Sequence, residues 1–271
     1  MKKYMITEKL SDGGTSDIHK GKKIVSRRCC IKVKAYDDVV IKIMKDSRQS
    51  SLTQFRQEYR ILKKLQGSPY VPIVLDYFSS NGISTLVFPY KKCVDLFTLI
   101  TEDVKRPLEI LDNIFKKICL GLQHIHRRSV VHRDIKPENI LFFDDGDVQI
   151  IDYGLSVEQN QCHSIKTCAG SVPYVAPEVV MEHEFERHFG KENDVWSLGI
   201  VCYTLYTQQQ PYHKEDLDDI RDFNMVIKED LLPNIISGLL DKIFVPYKNR
   251  IEIDQIIDLL LPENDALKKI Q

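Results

Sequence analysis

The sequence predicts an α+β fold with two lobes, a small β-rich N-lobe with one main helix and a larger helical C-lobe. In the first third of the chain, short β-like runs such as residues 39–43 alternate with turn residues. From Ser51 the apolar residues recur with the 3.6-residue period of a helix. The remainder is mostly helical. We therefore predict an N-lobe over residues 1–90 and a C-lobe over residues 91–271.

Local patterns predict the further elements of both lobes. Residues 83–88 form a short apolar run that is typical of a buried strand. Residues 140–143 and 148–151 flank Asp144-Asp145-Gly146-Asp147, which is a hairpin pattern. Residues 194–206 are apolar nearly all round, which predicts a buried central helix. A core helix is predicted over residues 109–128, with its apolar stripe at Ile110, Ile114, Ile118, Leu122 and Ile125.

Composition excludes several classes of protein. The chain has 271 residues, of which 43% are apolar, and 38 Lys and Arg residues nearly balance 39 Asp and Glu residues. A net charge of −1 gives no bulk electrostatic attraction to nucleic acid or to an anionic membrane, so neither is an expected partner.

The seven cysteines include no Cys-x-x-Cys pair, which favours neither a zinc site nor a disulfide framework. The N-terminus carries no apolar signal segment, and no apolar run reaches about 18 residues. We expect a cytoplasmic or nuclear protein.

Residues 132–139 carry the most chemical information in the chain. They read His-Arg-Asp-Ile-Lys-Pro-Glu-Asn, and Asp152-Tyr153-Gly154 begins thirteen residues after Asn139. Asp134 can accept a hydrogen bond from a hydroxyl, and Lys136 can reach a transferred phosphoryl group. Asn139 and Asp152 offer oxygen ligands of the kind Mg²⁺ prefers. Taken singly, Asp134 is also compatible with a turn cap and Lys136 with a solvated surface charge.

Together these motifs resemble the catalytic and metal-binding loops of the eukaryotic-type serine/threonine protein kinase family. The resemblance extends from about Leu10 to Arg250. It includes Ala-Pro-Glu at 176–178, a segment similar to the substrate-docking loop at 170–174, and the start of the central helix at 194–199. It implies the protein-kinase fold and the transfer of phosphate from ATP, with Mg²⁺, to a protein substrate.

The resemblance also implies roles for individual residues. Asp134 is expected to be the catalytic base and Lys136 the cation that steers the phosphoryl group, while Asn139 and Asp152 bind the metal. His132 is expected in the core, Asp194 beneath the catalytic loop, and Arg250 paired with Glu178. The expected nucleotide-binding residues are Lys42, Glu58, Gly13, Ile18, Val40, Phe88, Tyr90, Asp95 and Leu141. For Asp95, an acid at a helix N-terminus is an alternative interpretation.

Four positions depart from the family pattern. The phosphate-covering loop should have three glycines, but only Gly13 is present, and Ser11 and Ser16 occupy the other two positions. A positive φ is costly at a serine. Tyr153 replaces the usual phenylalanine, and Pro89 replaces a common glutamate. The altered loop leaves a pseudokinase or scaffold binding module as the alternative. A small-molecule kinase is disfavoured by the Ala-Pro-Glu segment.

Two lysines compete for the role of ATP anchor. Val40-Ile41-Lys42 resembles the family's anchoring strand, and Glu58 follows Lys42 by sixteen residues on the predicted helix. This interval suits a strand-to-helix ion pair, so Lys42 is favoured. Cys30-Ile31-Lys32 has a similar pattern, and Lys32 stays the alternative.

Regulation is predicted at Arg133, which precedes the catalytic acid. In kinases with this arginine, a phosphate on the activation segment typically contacts it. Thr167, four residues before Ser171, is the expected phosphorylation site, with Ser164 as second choice. Little sequence lies outside the recognised segment, so we also expect pathway selection to depend on a regulatory protein partner or on localisation.

Overall fold

The computed structural model of the chain describes residues 3–24, 38–102, 106–164, 169–181, 188–212 and 217–261. The chain divides into two compact units, one of Met1–Gln66 with Pro72–Lys92 and one of Gly67–Val71 with Cys93–Gln271. The first is β-rich with one main helix and the second is mostly helical, so the predicted α+β class is confirmed. The five residues 67–71, which the sequence placed in the N-lobe, pack with the second unit.

The first unit contains a five-stranded antiparallel sheet in the order β1-β2-β3-β5-β4. The central strand β3 pairs with β2 on one side and β5 on the other. The strands predicted at residues 39–43 and 83–88 are confirmed as β3 and β5. The bounds are β1 (Tyr4–Asp12), β2 (Ser16–Lys23), β3 (Asp38–Met44), β4 (Asp76–Ser80) and β5 (Ile83–Pro89).

The residues of strand β3 contribute to both faces of this sheet, because successive side chains of a strand point to opposite sides. Val39 and Ile41 lie in an apolar cluster with Tyr4 and Val87. Lys42, one residue on, therefore points away from that cluster. The alternation gives β3 a structural face and a face that carries a charged group.

Helix α1 (Gln49–Leu65) follows β3 and is the helix predicted from the apolar period beginning near Ser51. Its buried residues include Phe55, Glu58 and Leu62. Tyr59, which fits the same helical period, is only half-buried and stacks on Tyr77 with a ring-centroid distance of 4.4 Å. The buried face of α1 thus carries one carboxylate, Glu58, among apolar residues.

The second unit is built mainly from helices and two small antiparallel sheets, β6-β8-β9 and β7-β10. The helices are α2 (Leu96–Thr101), α3 (Leu108–Arg127), α4 (Lys191–Thr207), α5 (Leu217–Arg221), α6 (Asn234–Ile243) and α7 (Ile253–Leu260). The strands are β6 (Cys93–Asp95), β7 (Val130–Val131), β8 (Ile140–Phe143), β9 (Val148–Ile150) and β10 (Val157–Glu158). Within the described ranges, no helix is long and apolar enough to span a bilayer.

Helix α4 is the buried central helix that the sequence predicts, since every residue from Asn193 to Leu205 is buried. In α3 the predicted stripe is buried from Ile114 onward, but Ile110 is 43% exposed because it lies in the first turn. The predicted hairpin is formed by β8 and β9. Residues 132–139 therefore lie between β7 and β8, and Asp152 lies just beyond β9.

Candidate active site

The carboxylate of Asp134 is held by three side chains of the second unit. Asn139 Nδ2 donates to Asp134 Oδ2 at 2.9 Å, and Lys136 Nζ lies 3.1 Å from the same oxygen. Ser171 Oγ donates to Asp134 Oδ1 at 3.2 Å. Only about a tenth of the Asp134 side chain is exposed. Both carboxylate oxygens of Asp134 thus have a fixed orientation. A fixed orientation suits the role expected of Asp134, which is to contact a substrate hydroxyl.

Ser171 links the acid to the lysine, a role that the sequence analysis did not assign. Lys136 Nζ donates to Ser171 Oγ at 2.6 Å, while the same hydroxyl donates to Asp134. The close approach depends on Gly170, whose φ is +115°. A Cβ at this position would lie 3.0 Å from the carbonyl oxygen of Arg133 and would also violate the preferred backbone region of other residues. In the sequence, the feature that could have indicated this role of Ser171 is the Gly-Ser pair that precedes Ala-Pro-Glu.

Asp194, near the start of α4, anchors the backbone of the catalytic loop. Its carboxylate accepts hydrogen bonds from the amides of His132 and Arg133, both at 2.8 Å. It also lies 2.9 Å from His126 Nε2, and its side chain is 1% exposed. Arg133 has a φ of +71°, which is unfavourable for a residue with a Cβ. The paired amide contacts to Asp194 offset that strain, and the predicted support of the loop is confirmed.

His132 is buried in the core, as expected, and its contacts define its tautomer. The amide of Asp134 donates to His132 Nδ1 at 3.3 Å, so this nitrogen accepts. The hydrogen therefore resides on Nε2, which donates to the carbonyl oxygen of Ile151 at 3.0 Å. His132 thus connects the loop at residues 132–139 to the segment that leads into Asp152.

Tyr153 preserves the packing expected of the usual phenylalanine. Its ring meets the His132 ring edge-on, with centroids 4.9 Å apart. The hydroxyl is satisfied because it donates to the carbonyl oxygen of Ile150 at 3.1 Å. Complete burial raises the pKa of this phenol well above its usual value, so it is neutral.

The two predicted metal ligands lie on adjoining segments. The amide of Ile151 donates to the backbone oxygen of Asn139 at 2.9 Å. The side-chain nitrogen of Asn139 is directed to Asp134, so its side-chain oxygen is the atom available to a cation. Asp152 has a φ of +63°, a strained conformation of the kind that is concentrated at functional sites.

The first unit contains the buried ion pair that the sixteen-residue interval predicts. Lys42 Nζ lies 2.6 Å from Glu58 Oε1, and the side chains are 10% and 3% exposed. The cross-strand register places Ile18 opposite Lys42 and Phe88 opposite Val40. Since partners and alternate residues share a face, these apolar side chains and Lys42 lie on one side of the sheet. The alternative anchor, Lys32, lies outside the described residues.

Several other predicted nucleotide contacts have structural roles as well. Asp95 is the N-cap of α2, where its carboxylate accepts a hydrogen bond from the amide of Thr98 at 2.7 Å. This contact matches the alternative interpretation of Asp95 as an acid at a helix N-terminus. Leu141 pairs directly with Asp95 between β8 and β6. The ring of Tyr90 lies under Lys20 Nζ at 4.1 Å. Gly13 begins the turn between β1 and β2.

Two further expectations concern the loops around the acid. Arg250 donates to both carboxylate oxygens of Glu178, at 2.5 and 3.1 Å, which confirms the predicted pair. Arg133 Nη1 lies 3.3 Å from the carbonyl oxygen of Leu155, and its guanidinium lies over the Phe189 ring. Thr167 lies outside the described residues, so its contact with Arg133 stays a prediction.

Comparison with known proteins defines the class to which this fold and site belong. The family model described as protein kinase domain matches residues 13–261. This match covers most of the chain, and the chain belongs to the protein kinase family.

Three curated relatives show the range of similarity. The phosphorylase b kinase gamma catalytic chain, liver/testis isoform, of Mus musculus is 30% identical over 205 residues, covering 72% of this chain and 50% of the relative. The SNF1-related protein kinase catalytic subunit alpha KIN12 of Arabidopsis thaliana is 30% identical over 73% of this chain and 40% of its own length. The CBL-interacting serine/threonine-protein kinase 20 of the same plant is 27% identical over 95% of this chain and 58% of its own length. The chain spans about half the length of each of these three relatives.

Proposed function

We propose that this protein is a serine/threonine kinase that transfers the γ-phosphate of ATP to protein hydroxyls, with Mg²⁺ as the metal. The arrangement of Asp134, Lys136 and Ser171 carries the proposal, because an oriented carboxylate and a cation share one bridging hydroxyl. The family match supports the phosphotransfer, and the name of one relative includes serine/threonine-protein kinase.

Asp134 acts on the substrate hydroxyl. Its Oδ atoms are oriented by Asn139 and Ser171, so the carboxylate can accept a hydrogen bond from the hydroxyl and then its proton. Phosphoryl transfer needs alignment more than covalent participation. The anchoring of this loop on Asp194 therefore contributes directly to the position of the nucleophile.

Two lysines act on the phosphates. Lys136, held by Ser171, stabilises the charge on the transferred phosphoryl group. Lys42 binds the α- and β-phosphates of ATP, and Glu58 holds the ammonium group of Lys42 in position. Ile18, Val40 and Phe88 provide the apolar surface beside Lys42. Gly13, Tyr90, Asp95 and Leu141 complete the proposed nucleotide contacts.

The residues present fit a divalent cation. Asn139 directs its amide nitrogen to Asp134, which leaves the oxygen for a hard cation, and Asp152 supplies a carboxylate. Mg²⁺, when bound, would neutralise charge on the phosphate oxygens.

A phosphorylation assay tests the proposal. The purified protein is incubated with labelled ATP, Mg²⁺ and an array of serine, threonine and tyrosine peptides. Asp134→Asn should reduce labelling by about a thousand-fold, since it removes the base and part of the alignment. Asp230→Asn, at an exposed surface site, is the matched control and should be unaffected. A wild-type protein without turnover on any peptide, with Mg²⁺ or Mn²⁺, would establish the pseudokinase alternative.

The regulatory predictions extend this proposal. Phosphate on Thr167 would add roughly two negative charges near Arg133 and order the segment. Comparing Thr167→Ala and phosphatase-treated protein with the wild type tests it; full activity in both would assign control to a protein partner. A cytoplasmic or nuclear location stays a prediction to be tested by imaging.

A further inference from the structure

The turn between β1 and β2 brings two carboxylates face to face. The register pairs Asp12 with Asp17 at the last position of the ladder, and the amide of Gly13 closes the turn by donating to Ser16 O at 3.1 Å. Like charges directly opposite each other in an antiparallel pair are destabilising. The closed turn therefore depends on nearby cations.

Two lysines, one in β1 and one directly after β3, bridge these carboxylates. Lys9 Nζ lies 2.9 Å from Asp12 Oδ2 and 3.0 Å from Asp17 Oδ1. Lys45 Nζ contacts Asp12 and lies 3.7 Å from Asp17 Oδ1. Hydrogen bonds from Lys45 and then Lys9 hold the pKa of Asp12 well below its usual value, so the carboxylate is ionised at neutral pH. We call these four residues the hairpin clamp.

The clamp joins elements that are not neighbours in the sheet. Lys9 belongs to β1, whereas Lys45 directly follows β3, and β2 lies between them. The backbone of Lys45 reinforces the connection, since its amide donates to the carbonyl oxygen of Thr15 in the turn at 3.1 Å. The turn is thus tied to the strand that carries Lys42.

This turn is the segment in which the chain departs from the glycine pattern of its family. Gly13 is required sterically, because a Cβ there would lie 2.9 Å from the backbone oxygen of Ser16. Serine at positions 11 and 16 permits fewer backbone conformations than glycine. Glycines would let the backbone adjust as it approaches a phosphate, whereas the hairpin clamp fixes the conformation of the turn.

We propose that the hairpin clamp is a positioning device for ATP, which holds the β1–β2 turn in the closed conformation that receives the phosphates. The inference rests on the proposed kinase function. Its members are positioning residues, because they act on the turn and not on reacting atoms. Exposed ion pairs are individually weak and are screened by salt, so the device is sensitive to ionic strength.

The decisive variant is Asp12→Asn/Lys45→Met, which removes the side-chain link between the turn and Lys45 while keeping the summed charge of the four side chains at zero. We expect KM for ATP to rise about two- to five-fold with kcat unchanged, a range suited to weak exposed ion pairs. The ratio to the wild-type KM should approach one in about 0.5 M NaCl, because salt screens the clamp.

Two measurements without turnover separate this inference from the proposed function. Amide hydrogen exchange of residues 13–16 should be faster in the neutral double variant, and a fluorescent ATP analogue should bind more weakly. Arg48→Gln is the control, because Arg48 pairs with Asp46 at 2.7 Å beside β3 without joining the clamp. If wild-type protein lacks turnover but these two effects occur, the clamp stands and the kinase proposal fails. The clamp proposal would be overturned if the double variant had the same amide hydrogen exchange and nucleotide affinity as the wild type. It would also be overturned if Arg48→Gln changed both quantities equally.

Discussion

Replacing Ser171 by alanine removes the hydroxyl that connects Asp134, the proposed catalytic acid, to Lys136. In the wild type this oxygen accepts from Lys136 at 2.6 Å and donates to Asp134 at 3.2 Å. A hydrogen bond to a charged group contributes about 1.5–3 kcal/mol, and each 1.4 kcal/mol corresponds to a tenfold change in rate. The lysine and acid side chains are 21% and 10% exposed, so solvent replaces part of the loss. We expect kcat to fall about 10- to 100-fold.

The assay is steady-state phosphorylation of the best array peptide at saturating ATP. Ser171→Thr keeps the hydroxyl and should retain more activity than Ser171→Ala. Ser80→Ala, at an exposed position of β4, controls for loss of a serine hydroxyl elsewhere. Because the change affects alignment and charge at the acid, KM for ATP should stay within about two-fold of wild type. An unchanged kcat in correctly folded Ser171→Ala would refute the assigned role of the bridge.

Three further predictions concern buried ionisable groups. Lys42→Met should abolish phosphorylation and also lower Tm, because Glu58 would remain buried without its cation; adding Glu58→Leu should recover Tm but not activity. Arg250→Met should cost about 3–5 kcal/mol of unfolding free energy in urea melts, and adding Glu178→Leu should recover much of it; an additive double variant would contradict the direct pairing. The buried Tyr153 has a raised folded-state pKa, so the stability that it contributes is complete below about pH 10 and is lost as pH rises above the unfolded pKa. Tyr153→Phe should therefore reduce the alkaline slope of unfolding free energy by up to about 1.4 kcal/mol per pH unit, and an identical slope would contradict this.

The parts of the fold that the sequence predicted are those with a strong local pattern. The β-branched run at residues 39–43 predicted a strand and the apolar residues 194–206 predicted a buried helix, and β3 and α4 are found there. The ion pair of Lys42 and Glu58 was predicted because the strand around Lys42 and the interval to Glu58 resemble those of the kinase family, and the pair is present. Ile110 fits the same helical period as its buried neighbours, yet it is exposed, because periodicity does not show where along a helix the packing partner begins.

The parts of the site that the sequence missed depend on contacts between distant segments. Ser171 reaches Lys136 across 35 positions, and His126 reaches Asp194 across 68. No periodicity or short motif encodes such distances. Asp95 illustrates a different limit: an acid before a helix suits both a cap and a ligand, and only the contact with Thr98 shows that it caps α2.

The dependence of the catalytic loop on Asp194 has a consequence for local unfolding. The amides of His132 and Arg133 donate hydrogen bonds to the carboxylate of Asp194, which belongs to the buried helix α4. These amides are held by a residue of α4, so we expect their hydrogen exchange to be nearly as slow as that of the helix interior. The catalytic loop and the α4 core thus belong to one cooperative folding unit. Fluctuations that leave α4 intact leave Asp194 in place to hold this loop, so we expect changes in activity to arise first in segments that can move without α4.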